Sequence, residues 1–287
     1  VNNPDDIAEQ LKKQYESVFS QPSESMKVID PNLFFEEDEA EETIESIFIN
    51  REDIIEAIDS LSPNAAAGPD GVPAIILKNC QHSLVDGLEV IYKKSLETSS
   101  TPSSLKQAFV IPVHKGDLRS DPANYRPVSL TSHISKTLER ILRKSIVAHL
   151  EANQKLNPNQ HGFRTRRSCL SQLLEHHDRI LSYLEDGHNV DCVYLDFAKA
   201  FDKVDHGILS HKMRKLGIKG RLGKWLHDFL TDRTQVVLAN GAKSTESKVK
   251  SGVPQGTVLG PILFLIMIND IDAEDHGSSV SLFCDDT

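Results

Sequence analysis

Phe283-Cys284-Asp285-Asp286-Thr287 stands at the end of the sequence, an apolar run that delivers two adjacent carboxylates. Upstream, Val193-Tyr194-Leu195-Asp196-Phe197 is a second apolar run carrying a carboxylate. If the two runs are neighbouring strands of one sheet, Asp196, Asp285 and Asp286 meet at their ends. Three clustered carboxylates repel one another unless a cation sits among them. The pattern therefore points to a divalent metal site and to chemistry on phosphate.

The rest of the composition is compatible with that reading. With 287 residues, 39% hydrophobic and 26% charged, the chain can form one large domain or two small ones of an ordinary soluble type. The longest apolar stretch, 262–268, is far too short to span a bilayer, so no membrane partner is expected. Val1-Asn2-Asn3-Pro4 opens no signal peptide and supplies no initiating Met, so a fragment of an intracellular protein (nucleus or cytoplasm) is expected. Cys80, Cys169, Cys192 and Cys284 show no C-x-x-C pairing, which argues for reduced thiols rather than zinc or disulfides. The adjacent His176 and His177 have poor chelate spacing on a helix.

Charge is unevenly placed. The net charge is −10, yet residues 1–60 hold 17 Asp/Glu against 4 Lys/Arg, and residues 106–170 hold 12 Lys/Arg against 4 Asp/Glu. An acidic leader thus precedes a basic segment, and local positive charge is what a phosphate backbone senses.

Periodicity gives a coarse map. Helical spacing is found over 5–19, after an Asn50 cap through Ile54, Ile58 and Leu61, around Ile75–Leu77, and over 84–96. Residues 36–45 read as an exposed acidic linker. A strand is expected over 108–113 with its turn at Lys115-Gly116-Asp117, and a long amphipathic helix from Ser132 to Leu150. A polar, basic loop (158–167) and a helix over 170–184 follow, then a strand over 190–196 and helices over 208–216 and 222–229. Asn240-Gly241 predicts a hairpin turn between 235–239 and a strand reaching about 249. A last helix is expected over 255–268 and a last strand over 280–284. The irregular alternation favours an α/β or α+β class over a solenoid or bundle.

Two further motifs flank the carboxylates. Asp196-Phe197-Ala198-Lys199-Ala200-Phe201-Asp202 offers a carboxylate and a neighbouring carbonyl, both suited to a hard cation. Ser251-Gly252-Val253-Pro254-Gln255-Gly256 combines two glycines, which permit close backbone approach, with an amide able to donate and accept. Singly, each has a plain reading, a turn aspartate or a helix entry loop. Their order says more. Together with Phe283 to Asp286 they resemble the core of reverse transcriptases, most closely the non-LTR, jockey-like retrotransposon branch. Further blocks carry the resemblance: Ala66-Ala67-Gly68-Pro69-Asp70-Gly71-Val72-Pro73, Ile111-Pro112-Val113-His114-Lys115-Gly116-Asp117, Asn124-Tyr125-Arg126-Pro127-Val128-Ser129-Leu130, Asn159-Gln160-His161-Gly162-Phe163-Arg164 and Ile268-Asn269-Asp270.

The resemblance implies a right-hand polymerase of the α/β (α+β) class, with fingers and palm and an antiparallel palm sheet backed by helices. It divides the chain into a leader with helices, 1–60, and a polymerase unit, 61–287, in which the thumb is missing, so that these residues alone are expected to be inactive. It implies an RNA-directed DNA polymerase acting on an RNA template, a DNA primer and dNTPs. Two Mg²⁺ ions, with Mn²⁺ as an alternative, would be held by Asp196, Asp285, the carbonyl of Phe197 and, in a lesser role, Asp286. Lys115 and Arg126 would embrace the triphosphate, and Phe201 would gate against a ribose 2′-hydroxyl. Gln255 and Gly256 would line the nucleotide and template pocket. Arg164, Arg166 and Arg167 would grip template phosphates. Cys284 stands where the branch usually has Ala, and as a free thiol beside a metal site it is expected to be oxidation-sensitive. The competing readings are a non-catalytic remnant that binds nucleic acid, an RNA-dependent RNA polymerase, which Phe201 opposes, and a metal-dependent phosphohydrolase. The last gives no reason for the Pro-Gln-Gly loop.

Overall fold

The structure, a computed structural model, describes residues 3–20, 34, 42–271 and 279–287. Its elements in chain order are α1 (Pro4–Val18), α2 (Arg51–Asp59), α3 (Ala74–Asn79), α4 (Gln81–Glu97), β1 (Gln107–His114) and β2 (Tyr125–Leu130). There follow α5 (His133–Ala152), α6 (Cys169–Glu185), α7 (His206–Lys215), α8 (Gly220–Leu230), β3 (Thr234–Ala239), β4 (Ala242–Lys243), β5 (Ser247–Lys248) and α9 (Gly260–Ile268). The class is mixed α/β.

Local sequence sets most of these boundaries. Asn50 and Asp53 form a reciprocal capping box on α2, and Ser132 caps α5 by accepting from the Ile134 and Ser135 amides. Asn240 and Gly241 both take positive φ, 50° and 82°, the pairing that a two-residue type I′ hairpin needs. The arm after that turn is broken into β4 and β5, because the Ser244 hydroxyl takes the Val237 amide in place of a ladder partner.

The sheet runs β2-β1-β3-β4, with β5 also on β3. β1 pairs antiparallel with β2 and parallel with β3. Helix α1 lies on this sheet, where Ala8, Leu11 and Tyr15 pack with Val110, Val237 and Ala239. The main core lies among the helices. It joins Ile54 and Ile58 of α2, Leu138, Leu142 and Ile146 of α5, Trp225 and Phe229 of α8, and nearly every side chain of α9. A helix apolar all round must be enclosed on all sides, and α9 is.

One buried charge organises that enclosure. Glu139 of α5 is fully buried, and its Oε2 accepts from the amides of Val258 (2.7 Å) and Leu259 (3.2 Å) at the entrance of α9. Ser135 donates to its other oxygen at 3.0 Å. The cations Lys136, Arg140 and Arg233 all sense this carboxylate.

Several sequence expectations need correction. The final helix begins at Gly260 rather than 255, since Gly256 sits at φ +106° and Pro261, not Pro254, occupies the first turn. The run 190–196 is no strand: Val193 and Tyr194 are 76% and 77% exposed. A strand exists through its neighbour's hydrogen bonds. Among the described residues this run exchanges backbone bonds only between Leu195 and Thr287, at 2.7 and 3.0 Å. Likewise 280–284 forms isolated bridges instead of a ladder. Of the acidic linker, residues 36–41 lie outside the described residues. Its end is anchored, with Ile44 bonded to Gly217 and Lys219. Helix α6 has no buried residue, and Leu170, Leu173, Leu174 and Leu184 are exposed.

Replacing Glu139 by Ala strands two amides and the buried Arg233 charge. Leaving such buried donors without an acceptor costs about 1–3 kcal/mol each. Urea unfolding of Glu139→Ala should show a loss of that order, and an unchanged midpoint would mean the carboxylate is dispensable.

Candidate active site

The site is assembled from four chain segments. The first is the end segment. Phe283 and Asp286 exchange backbone bonds at 2.9 and 3.1 Å around a two-residue turn, and Cys284 takes φ +58°. Positive φ at the first central position alone is the type II′ pattern. The next residue, Thr287, exchanges both backbone bonds with Leu195. In antiparallel geometry that exchange sets Asp196 directly opposite Asp286.

The second segment, residues 159–162, holds this turn in place. Leu282 donates to the Asn159 carbonyl at 3.1 Å and accepts from the His161 amide at 2.9 Å. The buried Gln160 amide grips Cys284, its Oε1 accepting from the Cys284 amide (2.9 Å) and its Nε2 donating to the Cys284 carbonyl (3.1 Å). The same Oε1 accepts from the Gly162 amide. A Cβ on Gly162 would stand 2.4 Å from the Cys284 nitrogen, so the turn rests on bare backbone.

The carboxylates lie within one another's fields. Burial pushes the Asp285 carboxyl above its usual range, its own backbone N–H opposes that, Asp286 and Asp196 push it further up, and Arg126 pulls it down. Asp196 and Asp286 thus both act on Asp285, and Arg126 acts on it with the opposite sign. Cys284 departs from expectation. Burial, then Asp285 and Asp286, push its thiol up to about 11. The thiolate is the reactive form, so this environment protects the sulfur rather than sensitising it.

The third segment is the β1–β2 hairpin. Arg126 pairs in register with Val113, and the Lys115 amide donates to the Asn124 carbonyl at 2.8 Å. Both cationic side chains are exposed. Lys115 is held below the usual lysine range by desolvation, by Lys199 and by Arg126, against the pull of Asp196 and Asp202. Lys115, Arg126 and Lys199 therefore share one field with the acidic group.

The fourth segment joins the 3-10 turn Ala200–Lys203 to the loop 251–256. The Val253 amide donates to the Phe201 carbonyl (2.9 Å) and the Gly252 amide to the Val204 carbonyl (2.8 Å). Gln255 donates through Nε2 to Asp202 Oδ1 at 3.1 Å, and its carbonyl accepts from the Ser129 amide of β2 at 2.7 Å. Phe201 stacks on Phe264 of α9 at 4.3 Å between centroids and meets Phe163 edge-on at 6.2 Å. Phe197 lies half exposed beside Asp196.

Arg164 is placed differently from the other two arginines of its loop. Its Nε and Nη2 go to Glu151, and its Nη1 donates to the Asn157 carbonyl at 2.8 Å. Arg166 is exposed, and Arg167 reaches the Pro158 carbonyl.

Sequence reasoning gave no role to Gln160, Gly162, Lys199, Asp202 or Ser251. Each lay inside a motif already singled out, but what it touches is distant in the chain.

Residues 113–287 match the family described as "Reverse transcriptase (RNA-dependent DNA polymerase)". The chain belongs to the reverse transcriptase family. It is 33% identical over 224 residues to the "Probable RNA-directed DNA polymerase from transposon BS" of Drosophila melanogaster, covering 78% of this chain and 25% of that protein. To the "RNA-directed DNA polymerase from mobile element jockey" of the same species it is 27% identical over 265 residues, covering 87% of this chain and 29% of the relative. A type-1 retrotransposable element R2 polyprotein of Popillia japonica is 31% identical over 172 residues, covering 60% of the chain and 23% of that protein. This reverse transcriptase sequence thus spans about a quarter of the length of the curated relatives it matches. The relatives place it in the non-LTR retrotransposon branch.

Reverse transcriptases generally use divalent metal ions. The donors here fit such an ion in kind, since three carboxylates and the Phe197 carbonyl are all hard oxygens. They do not form a ready cage: among the described residues no three His, Cys, Asp or Glu side chains close around one point. No helix of the described residues is long and apolar enough to cross a membrane.

Removing the Gln160 clamp should loosen the acidic turn. Gln160→Ala is expected to raise hydrogen exchange at the Cys284 amide by the equivalent of about 1–3 kcal/mol, the cost of leaving such groups unpaired. Exchange mass spectrometry over 280–287 reads it directly, and unchanged protection would show the clamp to be incidental.

Proposed function

We propose that this chain is the catalytic centre of an RNA-directed DNA polymerase of a non-LTR mobile element, joining dNTPs to a primer 3′-hydroxyl on an RNA template. The observation that supports the reading is the electrostatic field that Asp196, Asp285 and Asp286 share with Lys115 and Arg126, beside the backbone pairing of Leu195 with Thr287. Acid for metal and base for triphosphate are the two needs of nucleotidyl transfer, and they occur side by side. We place the polymerase unit at 61–287, with β1 and β2 as part of the fingers, the acidic turn in the palm, and residues 1–60 as an N-terminal addition whose helix α1 lies on the sheet and whose helix α2 joins the main core. The working compartment is intracellular.

Asp196 and Asp285 would hold two Mg²⁺ ions, aided by the Phe197 carbonyl and Asp286. When bound, such ions lower the pKa of the attacking hydroxyl and offset charge on the leaving pyrophosphate. Arg126 offers the triphosphate a bidentate fork and Lys115 a point charge. Both are exposed and already lie in the field of the carboxylates, so they orient the triphosphate toward Asp196 and Asp285. Gln255 and Gly256 line the nucleotide side. Arg166 and Arg167 are the candidates for template phosphates, whereas the donors of Arg164 are committed to Glu151 and Asn157.

Phe201 supports deoxyribonucleotide over ribonucleotide chemistry. A steric gate must not swing, and this ring is wedged between Phe264 and Phe163. That rigidity disfavours an RNA-dependent RNA polymerase.

The tests use the protein expressed from its whole open reading frame. Asp196→Asn should abolish extension of a DNA primer on RNA, while millimolar Mg²⁺ should raise the melting temperature of the wild type more than that of the variant. Retained extension would remove Asp196 from the site. Phe201→Ala should raise ribonucleotide incorporation in the same assay, and unchanged sugar selectivity would leave the ring a packing residue.

A further inference from the structure

Asp202 has no part in metal binding as described above, yet it is among the most heavily engaged groups near the site. It sits in the 3-10 turn directly after Phe201, in a cleft lined by Tyr15 and Phe19 of the N-terminal segment, Pro127 and Ser129 of β2, and the loop 251–255. Its carbonyl accepts from the Ser251 hydroxyl at 2.8 Å, and that same hydroxyl accepts from the Ser20 amide at 2.8 Å. Gly252 packs so closely that a Cβ there would stand 2.8 Å from the Asp202 Cα and carbonyl oxygen. The backbone of Asp202 is therefore fixed from two sides. Its carboxylate receives the Gln255 Nε2 at 3.1 Å, while the Gln255 carbonyl is fixed by Ser129 at 2.7 Å.

A glutamine amide has two nearly isosteric ends, and only its partners decide which way it faces. An ionised carboxylate can only accept, so it admits the –NH₂ end and rejects the oxygen. Burial pushes the Asp202 carboxyl above its usual range, and the Gln255 hydrogen bond, Lys199 and Lys115 oppose that push in favour of the ionised form. We propose that Asp202 is the positioning residue for Gln255, fixing its amide in one orientation so that Oε1 and the second N–H meet the incoming dNTP in a defined pattern. The proposal rests on the reading of Gln255 as a nucleotide contact given above. It adds a requirement that reading lacks: the selectivity of the Pro-Gln-Gly loop depends on a carboxylate supplied by the segment that carries the sugar gate.

The test is Asp202→Asn, which keeps size and shape but offers either end of an amide, so that both Gln255 orientations become allowed. For the whole protein on an RNA–DNA primer template, the KM for dNTP should rise about three- to tenfold, the worth of one ordered hydrogen bond, with kcat changed less than about twofold. In a Gln255→Ala background the same substitution should change neither value, because the oriented group is gone. A loss of equal size in both backgrounds is structural and overturns the assignment, as does an unchanged KM in the single variant. A second readout needs no catalysis. The ¹⁵N-labelled side-chain amide of Gln255, identified by its disappearance in Gln255→Ala, should show its Asp202-bonded proton shifted downfield and slow to exchange with water in wild type, and both effects should shrink in Asp202→Asn. Signals identical in both proteins would sink the proposal. A wild type that extends no primer, yet shows the spectral change, would refute the polymerase reading and leave the positioning role standing.

Discussion

Backbone packs directly on backbone at both glycines of the loop 252–256, and the site depends on both contacts. Gly252 meets Asp202 and the Phe201 carbonyl oxygen, and Gly256 meets the carbonyl oxygen of Ser129 at what would be 2.5 Å from a Cβ. With positive φ at both glycines, no other residue enters these positions without strain. The loop between them is thereby held to the gate segment on one side and to β2 on the other. β2 carries Arg126, three residues before Ser129. Phe201, Gln255 and Arg126, the residues proposed above as sugar gate, nucleotide contact and triphosphate cation, are consequently parts of one packed block.

Much of this was legible in the sequence, and the reasons differ by element. Helices with strong caps and a 3.6-residue apolar period, α2 and α5, fall where Asn50 and Ser132 put them. The Asn-Gly hairpin is equally local. The entrance to α9 was misread because Pro254 and Pro261 are both plausible first-turn residues, and only the conformation of Gly256 excludes the earlier one. The stretch at 190–196 has the composition of a strand, but pairing is a property of two segments, and sequence shows one at a time.

For the site the division is similar. Motif order brought forward the three aspartates, Lys115, Arg126, Phe201 and Gln255. Their supports stayed hidden because each acts through a partner far along the chain. Gln160 grips a turn 124 residues later, and Glu139 caps a helix 119 residues away. A glutamine beside a histidine, or a glutamate on an amphipathic helix, looks like ordinary surface chemistry until its partner is known. Charge misled in one case. Arg164 belongs to a basic loop, yet its donors answer a glutamate of α5.

Helix α6 has one further consequence. Its leucines face solvent, and the neighbouring run through Tyr194 is tied down by a single backbone pair. Order in a protein is graded, and segments with little buried surface open at much lower free energy than the core. Asp196 follows a run held in this chain by that one backbone pair, whereas the turn of Asp285 and Asp286 is clamped through Gln160. The acidic site is split between a firm half and a loose half.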